Sequence, residues 1–373
     1  MKIRGVHQVF LALVKAGLWE RTIQLEPSGD IDFKKIYHLS NTQSVTGLVV
    51  AGLEHVTDIV LPKDIALMLA GDALQLEHQN KAMNQFVASL FKELDLKGIN
   101  SLLVKGQGIA QCYEKPLWRA CGDVDLFLDY DNYCKAKSLL VSIAHDVETE
   151  NPVNLHQAMT INKWCVELHG TLRSQISKRI DSVIDEVQND TFANGIVRLW
   201  HNGDTDVKMP GPDNDVIFVF THILQHFFRE GIGLRQICDW SRLLWTYREE
   251  INEDLLEKRL SKMAILPEWR AFAALAVDAL GMPPEAMPLY SPDKKWQEKA
   301  DRILELVFDS GFFGHGRDMS YKKKYPRLIE YGISFWTYTR YSIKQFLIFP
   351  SNAFKGWSQI IRLGVKAAVK RSL

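Results

Sequence analysis

The stretch LLVKGQGIAQCYEKPLWRACGDVDLFLD, residues 102–129, decides the fold. It opens on Leu102-Leu103-Val104, an apolar run that reads as a short buried strand over 101–105. Lys105, Gly106 and Gly108 follow as a turn, where the missing Cβ of glycine lets a backbone come close to a ligand. A helical turn through Ile109 to Tyr113 is expected next, then Pro116 and Arg119. The stretch closes on Gly122-Asp123-Val124-Asp125-Leu126-Phe127-Leu128, a second strand over 123–129. Alternate strand residues share a face, so Asp123 and Asp125 point one way while Val124 and Leu126 enter the core. A carboxylate in such surroundings is costly unless it binds a cation or accepts hydrogen bonds. Two carboxylates ~6–7 Å apart, at ~3.3 Å per residue, suit one or two Mg²⁺ ions. Mg²⁺ takes few protein carboxylates and completes its shell with substrate phosphates. A bare Asp-x-Asp also fits a solvated strand end; the apolar neighbours weigh against that here.

Lys105, Gly106, Gly108 and Arg119 form a candidate phosphate set. A helix N-terminus after Gly108 would present free N–H groups to an anion, Lys105 a point charge and Arg119 a bidentate grip. Lys105 facing Asp123 as a structural ion pair is the other reading. Downstream, Val153 to Ile161 and Lys163 to His169 read as two strands joined by a tight turn at Asn162. Glu167 and His169 share a face of the second. Cys165 and Val166 make that strand apolar, so Glu167 needs a partner, either a metal or an arginine. His169 can bond a phosphate, orient Glu167 or serve structure alone. His222 and His226 lie four apart on a predicted helix and share a face. Ile223 stands where the HExxH signature requires glutamate, which weighs against a zinc protease. Arg235 and Asp239 are also four apart on the next helix. For these four residues, a buried polar network between two helices stands beside a role at a cleft.

A glycine-rich turn followed by Asp-x-Asp on a strand resembles the nucleotidyltransferase superfamily that includes DNA polymerase beta and the antibiotic nucleotidyltransferases. The fuller pattern, Lys105-Gly106, Tyr113, Pro116, Arg119, GDVDLFL from Gly122 and VELHGTL from Val166, looks like a bacterial family of uncharacterised nucleotidyltransferases. The resemblance covers roughly residues 30–250. It departs at the turn, Gly106-Gln107-Gly108, where many members have Gly-Ser or Gly-Gly. The resemblance implies a two-Mg²⁺ site, with Glu167 as third carboxylate beside Asp123 and Asp125, binding the second metal or acting as base. It also implies that His222, His226, Arg235 and Asp239 face the cleft.

The 373 residues allow two or three domains, and 46% hydrophobic with 24% charged residues is ordinary for a globular chain. Five cysteines without a CxxC, set among apolar neighbours, read as reduced thiols. The apolar run Val9–Val14 is interrupted by Lys15 and reads as a first amphipathic helix and not a leader. Formal charge is zero overall, yet residues 321–373 hold eleven Lys/Arg against Glu330, a local +10. Aromatic residues interleave with this charge. Such a tail can lie on an anionic membrane, bind nucleic acid or pack on the acidic remainder.

Four regions are expected: N-terminal helices over 1–98, a catalytic core over 99–175, helices completing the cleft over 176–315 and a basic aromatic tail over 316–373. Helices are expected near 6–18, 32–39, 43–56 and 64–96, then from Asp131 as cap to about Ile143. Others are expected over Val216–Phe228 capped by Asp213 or Asn214, Leu234–Trp245, 253–263, 267–280 and 296–308. Loose patches are expected at Asn202-Gly203-Asp204 and Pro210-Gly211-Pro212, and a boundary at Gly311–Gly316. The fold class is α+β, a small mixed sheet embedded in helices from both ends of the chain. The expected function is Mg²⁺-dependent transfer of a nucleoside monophosphate from an NTP to an acceptor hydroxyl or phosphate of a small molecule or protein. A catalytically silent binding relative and a metal-dependent phosphohydrolase are the alternatives. A cytoplasmic protein is expected, with peripheral contact to the inner membrane surface through the tail left open; nucleic acid is not an expected partner.

Overall fold

The computed structural model describes residues 5–25, 31–311, 327–358 and 361. Four helices open the chain: α1 (Val6–Trp19), α2 (Phe33–Thr42), α3 (Thr46–Leu53) and α4 (Lys63–Leu96). The Asp32 carboxylate caps α2 by accepting the Lys35 backbone N–H at 3.0 Å. Along α4, Met83, Val87, Leu90, Phe91 and Leu94 recur at helical spacing and are buried as one stripe. The α1–α3 crossing depends on glycine. A Cβ on Gly17 would lie 2.0 Å from the Leu48 carbonyl oxygen, and one on Gly52 2.0 Å from that of Leu13.

The central sheet follows. Its strands are β1 (Leu102–Val104), β2 (Asp123–Phe127), β3 (Asp146–Val147), β4 (His156–Ile161) and β5 (Trp164–His169), in the spatial order β1-β2-β5-β4-β3. Between β1 and β2 lies α5 (Gly106–Ala110), and α6 (Tyr130–Val141) follows β2. β2 and β5 run parallel; every other neighbouring pair is antiparallel. The sheet is therefore small and mixed, as the pattern of residues implied. Val124, Leu126, Val166 and Leu168 pack with α4 and with Tyr133, Ala136 and Leu140 of α6. The opposite face carries Asp123, Asp125, Glu167 and His169, and its end residue Phe127 meets Phe218 with ring centroids 5.3 Å apart. The cap of α6 is Asp129, whose carboxylate accepts the Asn132 N–H at 2.8 Å, and not Asp131. Asp131 sits in the first turn, where an acid favours the helix dipole.

The region after the sheet departs from the expected all-helical run. Between α7 (Lys178–Ala193) and α8 (Pro212–Arg229) the chain forms a hairpin, β6 (Val197–Asn202) and β7 (Thr205–Pro210). The patch at Asn202-Gly203-Asp204 is its turn, with Gly203 at φ 62°. The alternation that marks a strand is present in β6, but its partly buried residues are Arg198, Trp200 and Asn202, while Val197 and Leu199 are exposed. Arg198 turns inward because it pairs with buried Asp215, and Asn202 donates to the Asn84 carbonyl at 2.7 Å. Hydrophobicity alone conceals such a strand. The start of α8 is set by Gly211 as cap with Pro212 at the first helical position, not by Asp213 or Asn214.

The remaining helices are α9 (Leu234–Thr246), α10 (Glu253–Met263), α11 (Leu266–Ala274), α12 (Lys294–Ser310) and α13 (Arg327–Phe346), with a further helical stretch over 350–358. The described part of the tail packs on the body. Gln345 donates to the Phe227 carbonyl of α8, Asn352 to Glu268 of α11 at 2.7 Å, and Lys344 pairs with Asp309 of α12 at 2.6 Å. Phe349 is 3% exposed and sets its ring against Phe227 and Phe228. Trp336, Ile343, Phe346 and Leu347 remain exposed. Among the described residues no helix is long and apolar enough to cross a membrane. The expected boundary beyond Gly311 and the basic helix beyond Ile361 lie outside the described residues.

Candidate active site

Parallel pairing places Asp125 directly opposite Glu167. Directly paired residues share a face, and Asp123 lies one pleat along β2 on that face. Carboxylate oxygens of Asp123, Asp125 and Glu167 all lie within 4.8 Å of one another. Asp125 is 2% exposed, so its charge is compensated locally. The Lys105 ammonium donates to it at 2.9 Å, and His169 Nε2 reaches the same oxygen at 2.7 Å. Glu167 Oε2 meets two imidazoles, His156 Nε2 at 3.2 Å and His169 Nε2 at 3.4 Å. Among the described residues, no side chain or backbone donor bonds the Asp123 carboxylate.

The turn before β2 is strained where it matters. Lys105 has φ 57° and ψ −143°, a conformation that costs a non-glycine residue of order 1–3 kcal/mol. Gly106 follows at φ 37°, and a Cβ there would sit 3.3 Å from the Asp123 carbonyl oxygen. α5 starts at Gly106 and not after Gly108, and it is five residues long, too short for a useful dipole. Gly108 does not line the cleft. Its α-carbon faces Met209 of β7, whose sulfur would be 2.7 Å from an added Cβ.

The electrostatics follow from this crowding. Burial opposes the ammonium of Lys105, but Asp125, Glu167 and Asp123 outweigh it and raise its pKa. Burial likewise pushes Asp125 up, and Lys105 with His169 more than offset it, leaving it below the usual carboxylate range. Glu167 is pushed up by burial and then carried well below that range by its bonds from His156 and His169. Burial disfavours charged His169, whereas bonds to Asp125 and Glu167 win and raise it. Asp123 alone among the acids is raised, by the charge of Asp125 and then by burial.

Arg119 is not free to grip a phosphate. Its guanidinium makes a two-point pair with Asp239, at 3.1 Å from Nε and 2.6 Å from Nη2, and both side chains are buried. Tyr113 donates to Asp239 at 2.7 Å, and Arg235 donates to the Ala120 carbonyl at 2.7 Å. From α4, Asn80 Nδ2 donates to the carbonyls of Leu117 and Arg119 at 2.7 and 2.8 Å, and Gln107 donates to Asn80 at 3.0 Å. These bonds fix the segment that leads into β2. The sequence reading missed Tyr113, Asn80 and His156 as parts of the site.

Two cavities meet at Glu167. One of about 200 Å³ is lined by Lys105, Gly106, Asp123, Asp125, Glu167 and Arg235, with Arg119 and Asp239 in its wall. The other, about 240 Å³, is lined by His156, Glu167, His169, Arg173 and Gln225. His222 and His226 of α8 border both. Their rings are 4.4 Å apart, and His226 Nδ1 lies 2.9 Å from Glu230. Burial and then Lys105 hold His222 well below the ordinary histidine range, as a neutral imidazole. Three clustered carboxylates, one of them without a donor, fit a hard divalent cation such as Mg²⁺.

The α+β fold thus aligns three acids on adjacent parallel strands behind a glycine turn. A family profile described as uncharacterised nucleotidyltransferase matches residues 29–281, more than half of the chain, and the chain belongs to that family. No curated protein sequence matches it. Among solved structures it is similar to the crystal structure of an antigenic nucleotidyltransferase-like protein from Paracoccidioides brasiliensis. That likeness has 16% identity and a TM-score of 0.33, and covers 53% of this chain and 92% of that one.

Proposed function

We propose that the chain transfers a nucleoside monophosphate from an NTP to a hydroxyl or phosphate of an acceptor, with release of pyrophosphate. The convergence of Asp123, Asp125 and Glu167 within 4.8 Å carries this reading. Magnesium held by these three carboxylates would supply charge neutralisation at the phosphorus and a more acidic acceptor hydroxyl. The other requirement of in-line transfer is positioning. Lys105 and Arg235 line the cavity of the acids and set cationic charge beside the triphosphate. Gly106 lines the same cavity and supplies the positive φ that the turn requires. The acceptor oxygen forms its bond to the α-phosphorus as the bond to the bridging oxygen breaks, and pyrophosphate leaves. Glu167, kept ionised by two imidazoles, would bind the second metal, and the acceptor's proton passes to solvent. His169 positions both Asp125 and Glu167. Arg119, Asp239 and Tyr113 hold the segment entering β2.

In this reading residues 99–175 carry the chemistry and 176–315 close the cleft, with His222 and His226 as its far wall. The described part of the tail braces α8, α11 and α12. Incubation of the purified chain with each α-labelled NTP, Mg²⁺ and a host lysate tests the reading. Incorporated label with pyrophosphate release is expected. Orthophosphate release without incorporation would move the chain to the phosphohydrolases, and neither product with any NTP would make it a silent binder.

A further inference from the structure

We infer that His156, Glu167 and His169 form a second, chemically distinct metal site, one for a zinc-type transition ion. His156 lies opposite His169 across the β4–β5 hairpin, which puts both imidazoles on the face that carries Glu167. Their ligand atoms lie within 4.8 Å of one another. Both Nε2 atoms lie near one oxygen, Glu167 Oε2, at 3.2 and 3.4 Å, and His169 Nε2 also reaches Asp125 at 2.7 Å, a bond that an ion on His169 would replace. N–H···O bonds run about 2.7–3.2 Å, so the His156 contact sits at the long end of that range and the His169 contact lies beyond it. A tetrahedral ion with ligand bonds of about 2.0–2.1 Å separates its ligand atoms by about 3.3 Å. The two distances from Glu167 therefore match the edges of a zinc coordination tetrahedron.

The donor set agrees with the distances. Imidazole with one carboxylate suits Zn²⁺ and its neighbours in the first row, whereas all-oxygen sets suit Mg²⁺. Glu167 belongs to both sets, so an ion here would fix the orientation of the carboxylate that also faces Asp123 and Asp125. The site opens on the 240 Å³ cavity, and side-chain exposures of 33% for His156 and 26% for Glu167 leave an entry path. Glu167 and His169 connect the inference with the transfer reaction, but the metal set itself stands if the transfer reading fails.

Co²⁺ titration of the metal-stripped full chain tests it by visible absorption, with no need of activity. A d–d band of tetrahedral or five-coordinate intensity, saturating at one equivalent, displaced by Zn²⁺ and not by excess Mg²⁺, is expected. His156→Gln should weaken Co²⁺ binding at least about 100-fold, more than the 10–100-fold cost of losing an outer-shell partner. Its unchanged thermal midpoint would show that the fold is intact. Asp123→Asn should keep the band, because Asp123 belongs only to the all-oxygen set. A Co²⁺ spectrum unaffected by His156→Gln, one abolished by Mg²⁺, or no band at all would overturn the inference.

Discussion

Asp125→Asn separates the chemistry of this site from its folding. The amide keeps the shape of the carboxylate and removes its charge. On the chemical side, one anionic ligand is lost from a three-carboxylate set, and charge stabilisation of this kind is worth several kcal/mol. A loss of about 4 kcal/mol corresponds to about 10³-fold in rate at 1.36 kcal/mol per decade. On the folding side, breaking a buried ion pair from one end usually costs about 3–5 kcal/mol. Here the cost is smaller. Lys105 still feels Glu167 and Asp123, and His169 still reaches Glu167 at 3.4 Å. Asp123 is also released from the repulsion that raises its pKa. The expected net destabilisation is about 1–2 kcal/mol, below the range for an isolated pair. Single-turnover transfer at saturating NTP measures the first number, and a denaturant midpoint without metal measures the second. A folded Asp125→Asn protein whose transfer rate stays within tenfold of wild type would refute the assigned role. A stability loss of the full isolated-pair size would refute the sharing of Lys105 among three acids.

Asp239→Asn strands the buried Arg119 guanidinium and should cost about 3–5 kcal/mol, read as a lower denaturant midpoint; an unchanged midpoint with a raised KM for NTP would instead assign Arg119 to the phosphates. His222 has a folded pKa far below its unfolded value of 6.5, so the stability it confers is present above pH 6.5 and is lost as pH falls. Comparing midpoints at pH 7.5 and 5.5, His222→Gln should lose about 1 kcal/mol less on acidification than wild type, and equal losses would show that the imidazole is not held neutral. Phe349→Ala should cost about 3–5 kcal/mol if the tail is part of the core, and vesicle sedimentation should leave the full chain in the supernatant with anionic and neutral lipid alike. Binding that needs anionic lipid and weakens with salt would make the tail a membrane contact instead.

Much of the sheet was legible because its signals are local. Val124 and Leu126 flanking Asp125 fix which way β2 faces, and the same alternation orients Glu167 on β5. Which strand lies beside β2 is a long-range fact, and periodicity carries no trace of it. The parallel β2–β5 pairing is what makes Asp125 and Glu167 neighbours. His156 was within reach, since a two-residue turn at Asn162-Lys163 sets Ile161 opposite Trp164 and, counting back, His156 opposite His169. The hairpin β6–β7 was hidden for a different reason. Its inward face is anchored by an ion pair, so polarity runs opposite to the rule that reveals a half-buried strand. Arg119 illustrates the converse error. A cation upstream of an Asp-x-Asp reads as a phosphate ligand until Asp239, 120 residues on, is seen to hold it.

The charges at the site are unequal in a way that sequence could not show. Lys105 and His169 direct their contacts to Asp125, and His156 and His169 direct theirs to Glu167. Both acids are thereby held below the ordinary carboxylate range, ionised and in place. Asp123 receives no such bond among the described residues, and its neighbours push its pKa up. The protein has thus compensated the charge of two of its three acids from within and left the third exposed to their repulsion. In the proposed reading, a cation beside Asp123 would relieve that repulsion directly, with Asp125 and Glu167 placed to complete its coordination. The strained turn at Lys105 belongs to the same arrangement, because the ammonium that holds Asp125 in place is carried on the residue with the unfavourable backbone conformation.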